Sequence, residues 1–204
     1  LTRPRITCPL QAAADASPQA PAIISGETIS YGELDRRVSR VAAALRGACE
    51  PGSRVGLYLP QDERYVVLLL ALLRAGMVAV PLSTRLPASG LPPLLGRAGC
   101  SALISAPDTS PRTPEGVPVL DAEELERLER LDGLEGDPGL SGGDQDVWSL
   151  DAPATVVFTS GSTGGPKAAL HSTGNHYYSA LGSNENIPLV PGDRWLAPLP
   201  FYHV

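Results

Sequence analysis

The run from Thr159 to Lys167 brings four hydroxyls, three glycines and an ammonium together directly after the apolar stretch Ala154-Thr155-Val156-Val157-Phe158. A packed core has little use for that mixture. Glycines let consecutive backbone N–H groups turn toward one point, hydroxyls add uncharged donors, and the lysine supplies positive charge. The chemistry on offer is anion binding, with phosphate the natural guest. Lys167 is also the only lysine among 16 basic residues, all the others being arginine. A slim, flexible ammonium presents a different donor geometry to phosphate oxygens from that of a planar guanidinium.

Two familiar loops of similar composition do not fit. Read from Gly161 as a Walker loop, G-x-x-x-x-G-K-[ST], the run has Pro166 where the second glycine belongs and Ala168 where a hydroxyl should hold magnesium. Read as a serine-hydrolase elbow, G-x-S-x-G, it has Ser160 two positions before Ser162 and Phe158 two before Ser160. A flexible Gly/Ser linker would need neither the lysine nor the preceding strand.

The run instead resembles the T-S-G-[ST]-T-G-x-P-K loop of the adenylate-forming enzymes, which include acyl-CoA synthetases, luciferases and peptide-synthetase adenylation domains. Downstream, Pro198-Leu199-Pro200-Phe201-Tyr202-His203 resembles the P-L-P-x-[FY]-H motif of the same superfamily. A lone histidine is a weak signal by itself. The stretch Thr173-Gly174-Asn175-His176-Tyr177-Tyr178-Ser179-Ala180-Leu181-Gly182-Ser183, with Asp193-Arg194-Trp195-Leu196 after it, is most similar to the o-succinylbenzoate-CoA ligases of menaquinone synthesis. One departure is Ala168, where most of the superfamily has glycine; alanine is tolerable there if φ is negative.

The resemblance implies a fold, a reaction and a site. The fold is α/β, the amino-terminal part of the large domain of the adenylate-forming fold, with a mostly parallel sheet flanked by helices. The reaction is ATP-dependent activation of a carboxylic acid to an acyl-adenylate, followed by transfer to coenzyme A, with a magnesium ion bridging phosphate oxygens. Thr159, Ser160, Gly161, Ser162, Thr163, Gly164 and Lys167 would cradle the phosphates. Lys167 and His203 would act in the chemistry, the first neutralising departing pyrophosphate and the second orienting the acid carboxylate. The alternatives are another acyl- or aryl-CoA ligase of the superfamily and a nucleotide-binding module without catalysis. Family members continue well beyond this motif to a carboxy-terminal domain with a second lysine. The 204 residues are therefore expected to be a partial AMP-binding domain, inactive alone, with the carboxy-terminal domain absent.

Composition limits the partners. A net charge of −6 argues against nucleic acid, and the longest apolar run, Val66 to Leu73, is too short to span a bilayer. Cys8, Cys49 and Cys100 lie far apart, which indicates neither a zinc site nor a disulfide framework and fits a reducing cytoplasm. His171 and His176, spaced H-x-x-x-x-H with no cysteine near, read as strand-end and helix residues and not as metal ligands. The expected partners are a small carboxylic acid, ATP and coenzyme A, with homo-oligomerisation left open.

The elements that must carry the loop are legible upstream. A short helix from Leu10 to Ala16 precedes a hairpin around Ser25-Gly26-Glu27. Ser30 and Glu33 have capping-box spacing before a helix that puts Leu34, Val38, Val41 and Leu45 on one face and ends at Gly47. Strand 54–59, helix 62–75 and strand 77–82, joined by short turns, imply a parallel βαβ unit. A second helix, with Leu91, Leu94 and Leu95, leads into the strand Ala102-Leu103-Ile104.

Residues 1–105 thus form a βαβ subregion, 106–151 a loop-rich acidic connection around a helix at 121–131, and 152–204 the phosphate-loop subregion. Between Asp121 and Asp151 there are eleven acids against Arg127 and Arg130. In the last subregion Ala168 to His171 should return as a strand. Thr173 or Asn175 should cap the next helix, and a further strand from Arg194 should deliver His203.

Overall fold

Alternation decides where the helices sit. The computed structural model describes residues 4–109, 111–129, 147–159 and 165–202. In it β4 (Arg54–Tyr58), β5 (Val78–Pro81) and β6 (Ala102–Ser105) are buried almost throughout, the signature of parallel strands covered on both faces. Val55, Leu57, Ala79, Ala102 and Ile104 pack on one face with α2 (Tyr31–Ala48), α3 (Glu63–Arg74) and Leu125 of α5 (Ala122–Glu129). Their neighbours Tyr58, Val78, Val80 and Leu103 point the other way, onto α4 (Leu91–Ala98).

The remaining elements complete the order. β1 (Arg5–Thr7) and α1 (Pro9–Ala16) come first, followed by the hairpin of β2 (Pro21–Ser25) and β3 (Glu27–Ser30). β7 (Val119–Asp121) precedes α5, and β8 (Val147–Ser149), β9 (Pro153–Thr159), β10 (Lys167–Ser172) and α6 (Thr173–Asn186) follow it among the described residues. The main sheet runs β10-β9-β5-β4-β6-β7. All its neighbours are parallel except β9 and β10. The expected mostly parallel α/β architecture is therefore present. β1 pairs with β8 in a separate two-stranded sheet.

Charged side chains pin the helical layer. The side chain of Arg74 is only 4% exposed and donates to the Asp35 carboxylate at 2.6 Å and to the Ser39 hydroxyl at 2.8 Å. This ties α3 to α2. Arg37 and Arg40 reach from α2 to the carboxylate and backbone carbonyl of Glu129, fastening α5.

Several local expectations need correction. Ser30 does cap α2, accepting from the Glu33 N–H at 3.3 Å, but Glu33 turns to Arg36 and Arg37 and does not complete a capping box. Two guanidiniums offer a carboxylate more than one backbone N–H does. Gly47 does not end α2, which runs on to Ala48. The cap of α6 is Ser172, one residue earlier than expected, in a full box with Asn175: each side chain accepts from the other's backbone N–H. No strand forms from Arg194; residues 194–202 are irregular and largely exposed. Pro198 and Pro200 have no N–H to give to a ladder, so pairing there would be intermittent.

Candidate functional site

β9 and β10 are antiparallel neighbours, and their register puts Thr159 opposite Lys167. The last residue of one strand and the first of the next thus carry a hydroxyl and an ammonium side by side, both exposed. Gly165 turns the chain into β10 with φ +97, a conformation that favours glycine, and Pro166 follows. Ala168 pairs with Phe158 inside the ladder, in strand backbone that any L-residue adopts. Ser160, Gly161, Ser162, Thr163, Gly164 and His203 lie outside the described residues.

Beside this hairpin, on the α3 side of the sheet, lies a groove of about 620 Å³. Its floor is Thr155 and Val157 of β9 with Pro81 of β5, its walls are Leu69 of α3 and His176 of α6, and the span Trp195 to Phe201 closes it over. The lining is mostly apolar, with His176 its one titratable side chain among the described residues, the composition of a pocket for a small organic molecule. The closing span is held at its far end. Phe201 donates its N–H to Gln61 Oε1 at 2.9 Å and stacks on Tyr65 with ring centroids 5.6 Å apart and planes 11° from parallel. Tyr65 is fully buried, and its hydroxyl has no partner among the described residues. Burial pushes the phenol well above its ordinary pKa, so it stays neutral.

His176 joins wall to floor: its Nε2 lies 2.8 Å from Thr155 Oγ1. Its ring centroid is 5.6 Å from that of His171. Burial first, and the neighbouring His171 second, lower its pKa below the ordinary 6.5. The ring is therefore neutral at neutral pH. Among the described residues no group of three or more His, Cys, Asp or Glu side chains is placed to hold a metal ion. No helix among them is long and apolar enough to cross a membrane.

The two histidines sit where the sequence put them, in β10 and α6, but their meeting with Thr155 was not foreseen. Gln61 and Tyr65 were missed as well. They come to the site from 140 and 136 residues before Phe201, and only the topology of the sheet joins them. No motif could have signalled that contact.

A protein-family model described as "AMP-binding enzyme" matches residues 10–204. Feruloyl-CoA synthase from an Amycolatopsis species is 36% identical over 192 residues, spanning 92% of this chain and 37% of that protein. The 2-succinylbenzoate–CoA ligase of Bacillus cereus is 31% identical over 182 residues, spanning 89% and 35%. Among solved structures, o-succinylbenzoate coenzyme A synthetase from Bacillus subtilis, in complex with ATP and magnesium ion, superimposes with a TM-score of 0.83. That match is 26% identical and covers 98% of this chain and 41% of the other. The same enzyme with its acyl-adenylate intermediate gives 0.79 at 27% identity, covering 98% of this chain and 51% of the other. The chain spans about a third of the length of the curated relatives it matches.

Proposed function

Because this chain belongs to the AMP-binding enzyme family, we propose that it supplies the phosphate-binding hairpin and part of the acid pocket of an ATP-dependent acid–CoA ligase. The observation that carries this is the β9–β10 register, which sets Thr159 and Lys167 together beside an apolar groove. An exposed hydroxyl and ammonium fit a triphosphate. A magnesium ion would ride on phosphate oxygens, where it offsets their charge.

In the first half-reaction the acid's carboxylate oxygen bonds to the α-phosphorus of ATP, and the bond to the β-phosphate oxygen breaks, releasing pyrophosphate. Lys167, with the donors of residues 159–164, compensates the charge that gathers on the leaving group. His203, two residues beyond the anchored Phe201, orients the carboxylate. In the second half AMP is displaced from the acyl carbon by the thiol of coenzyme A. The chain works by positioning and electrostatics more than by proton transfer.

The groove's apolar lining supports an acid with a hydrophobic body, and the similarity to ligases of 2-succinylbenzoate supports o-succinylbenzoate. A second reading, a hydroxycinnamate-type aryl acid, is supported by the 36% identity to feruloyl-CoA synthase. Pyrophosphate release by the complete product of the gene encoding this chain, measured with succinyl, aryl and long-chain acids, tests both. We expect o-succinylbenzoate to give the highest kcat/KM. A preference for ferulate installs the second reading, and a preference for a fatty acid removes both. The same assay tests His203→Ala, which should slow adenylate formation while leaving ATP affinity nearly unchanged; an unaltered rate would remove the role given to this residue.

A further inference from the structure

One helix that sends a side chain to the phosphate hairpin is α4, and it is held in place from three sides. Gly56 of β4 lets it settle on the sheet: a Cβ there would lie 2.8 Å from Leu103 Cδ1 and 3.0 Å from Leu95 Cδ2. Its own Leu91, Leu95 and Ala98 are fully buried. Its carboxy-terminal end is closed by Gly99 in the left-handed region, and Arg54 Nη1 donates to the Ala98 carbonyl at 2.7 Å.

From the last turn of this fixed helix, Arg97 reaches out to the hairpin. Its Nη1 donates to the Pro166 carbonyl at 2.7 Å. A Cβ built on Gly165 would lie 4.0 Å from both Nη1 and Nη2, so the guanidinium lies alongside the turn that leads into Lys167. Pro166 precedes the β9–β10 ladder, which begins at Lys167. The partner of its carbonyl among the described residues is Arg97 of α4.

We propose that Arg97 is a positioning residue for the phosphate hairpin: carried by α4, it fixes the Gly165–Pro166 arm and so sets where Lys167 meets the phosphates. The proposal rests on the reading of this hairpin as a phosphate site. A guanidinium suits the task because its planar fork keeps two N–H groups on one line, along which a turning backbone can be held. Misplacing a charge by about 1 Å is enough to cost a phosphate-handling site one to two orders of magnitude in rate.

Arg97→Ala and Arg97→Lys, made in the complete gene product, test this with two readouts: amide hydrogen exchange over residues 165–168, and kcat and KM for ATP in pyrophosphate release. In the alanine variant, exchange there should rise about tenfold and kcat should fall about tenfold, with Tm unmoved. The lysine variant keeps one donor for the Pro166 carbonyl and should recover most of both. Unchanged exchange in Arg97→Ala overturns the proposal whatever the kinetics, since Arg97 then acts on the ligand directly or not at all. Faster exchange with unaltered kcat overturns it too, leaving only a structural brace. A wild-type protein that releases no pyrophosphate with any acid overturns the phosphate-site reading itself, while the exchange arm still reports on its own whether Arg97 holds the turn.

Discussion

Lys167 stands exposed at the first position of β10, with its backbone already committed to the ladder opposite Thr159. Its side chain therefore adds little to the fold. We expect Lys167→Ala to change unfolding free energy by about 0.5 kcal/mol or less, as at most surface sites. The loss of a charge-assisted bond to phosphate should cost adenylate formation about 1.5–3 kcal/mol. Melting curves beside pyrophosphate-release kinetics separate the two, and a collapsed Tm with normal activity per folded molecule would make the hairpin structural. His176 is the opposite case. Burial and His171 lower its folded pKa below the ordinary 6.5, so on acidification the unfolded chain takes up the proton first. The stability tied to the neutral ring is whole above the unfolded value and is lost as pH falls through the folded one. His176→Gln should flatten that acid limb below about pH 6.5 in urea titrations run across pH. Equal limbs in the two proteins would mean that the ring is not held neutral against Thr155.

The element that presents His176 is α6, and its seat depends on one residue without a side chain. Gly174 donates its N–H to the Leu150 carbonyl at 2.7 Å, and a Cβ on it would lie 2.8 Å from that same oxygen. Backbone cannot yield as a side-chain tip can. Gly174→Ala should cost about 1–3 kcal/mol and lift the start of α6. Urea unfolding gives the first figure, and loss of the acid limb described for His176 would report the second. This seat was only partly legible. The helix α2 announced itself by its apolar face and a capping serine, and α3 by the apolar run between Asp62 and Ala75. β7 and β8, three residues each, are too short for alternation to register, and β8 pairs with a strand 140 to 144 residues earlier. The motif from Thr159 to Lys167 could be picked out because its residues are consecutive. The groove was not, because Leu69, Thr155, His176 and Phe201 converge only once the sheet order is known. The strand expected after Arg194 failed on its own prolines.

At the scale of the whole molecule, the sheet is not joined evenly. β4 pairs with β5 and with β6 through four register partners each, and β9 with β10 through six, yet β5 and β9 share the single pair Ala79 and Thr155. Ala154, Val156 and Val157 are buried across that line, so side-chain packing more than hydrogen bonding holds it. We expect the chain to divide there into two cooperative folding units of unequal strength, a βαβ block and a hairpin with its helix. Native-state exchange should find the β9 and β10 amides opening together at a lower free energy than those of β4 and β6, which should follow global unfolding. A single opening energy for all four strands would deny the division. If it holds in the complete gene product, mild denaturant should stop pyrophosphate release before the circular dichroism of the parallel block changes, and inactivation and unfolding would be two separate transitions of one polypeptide.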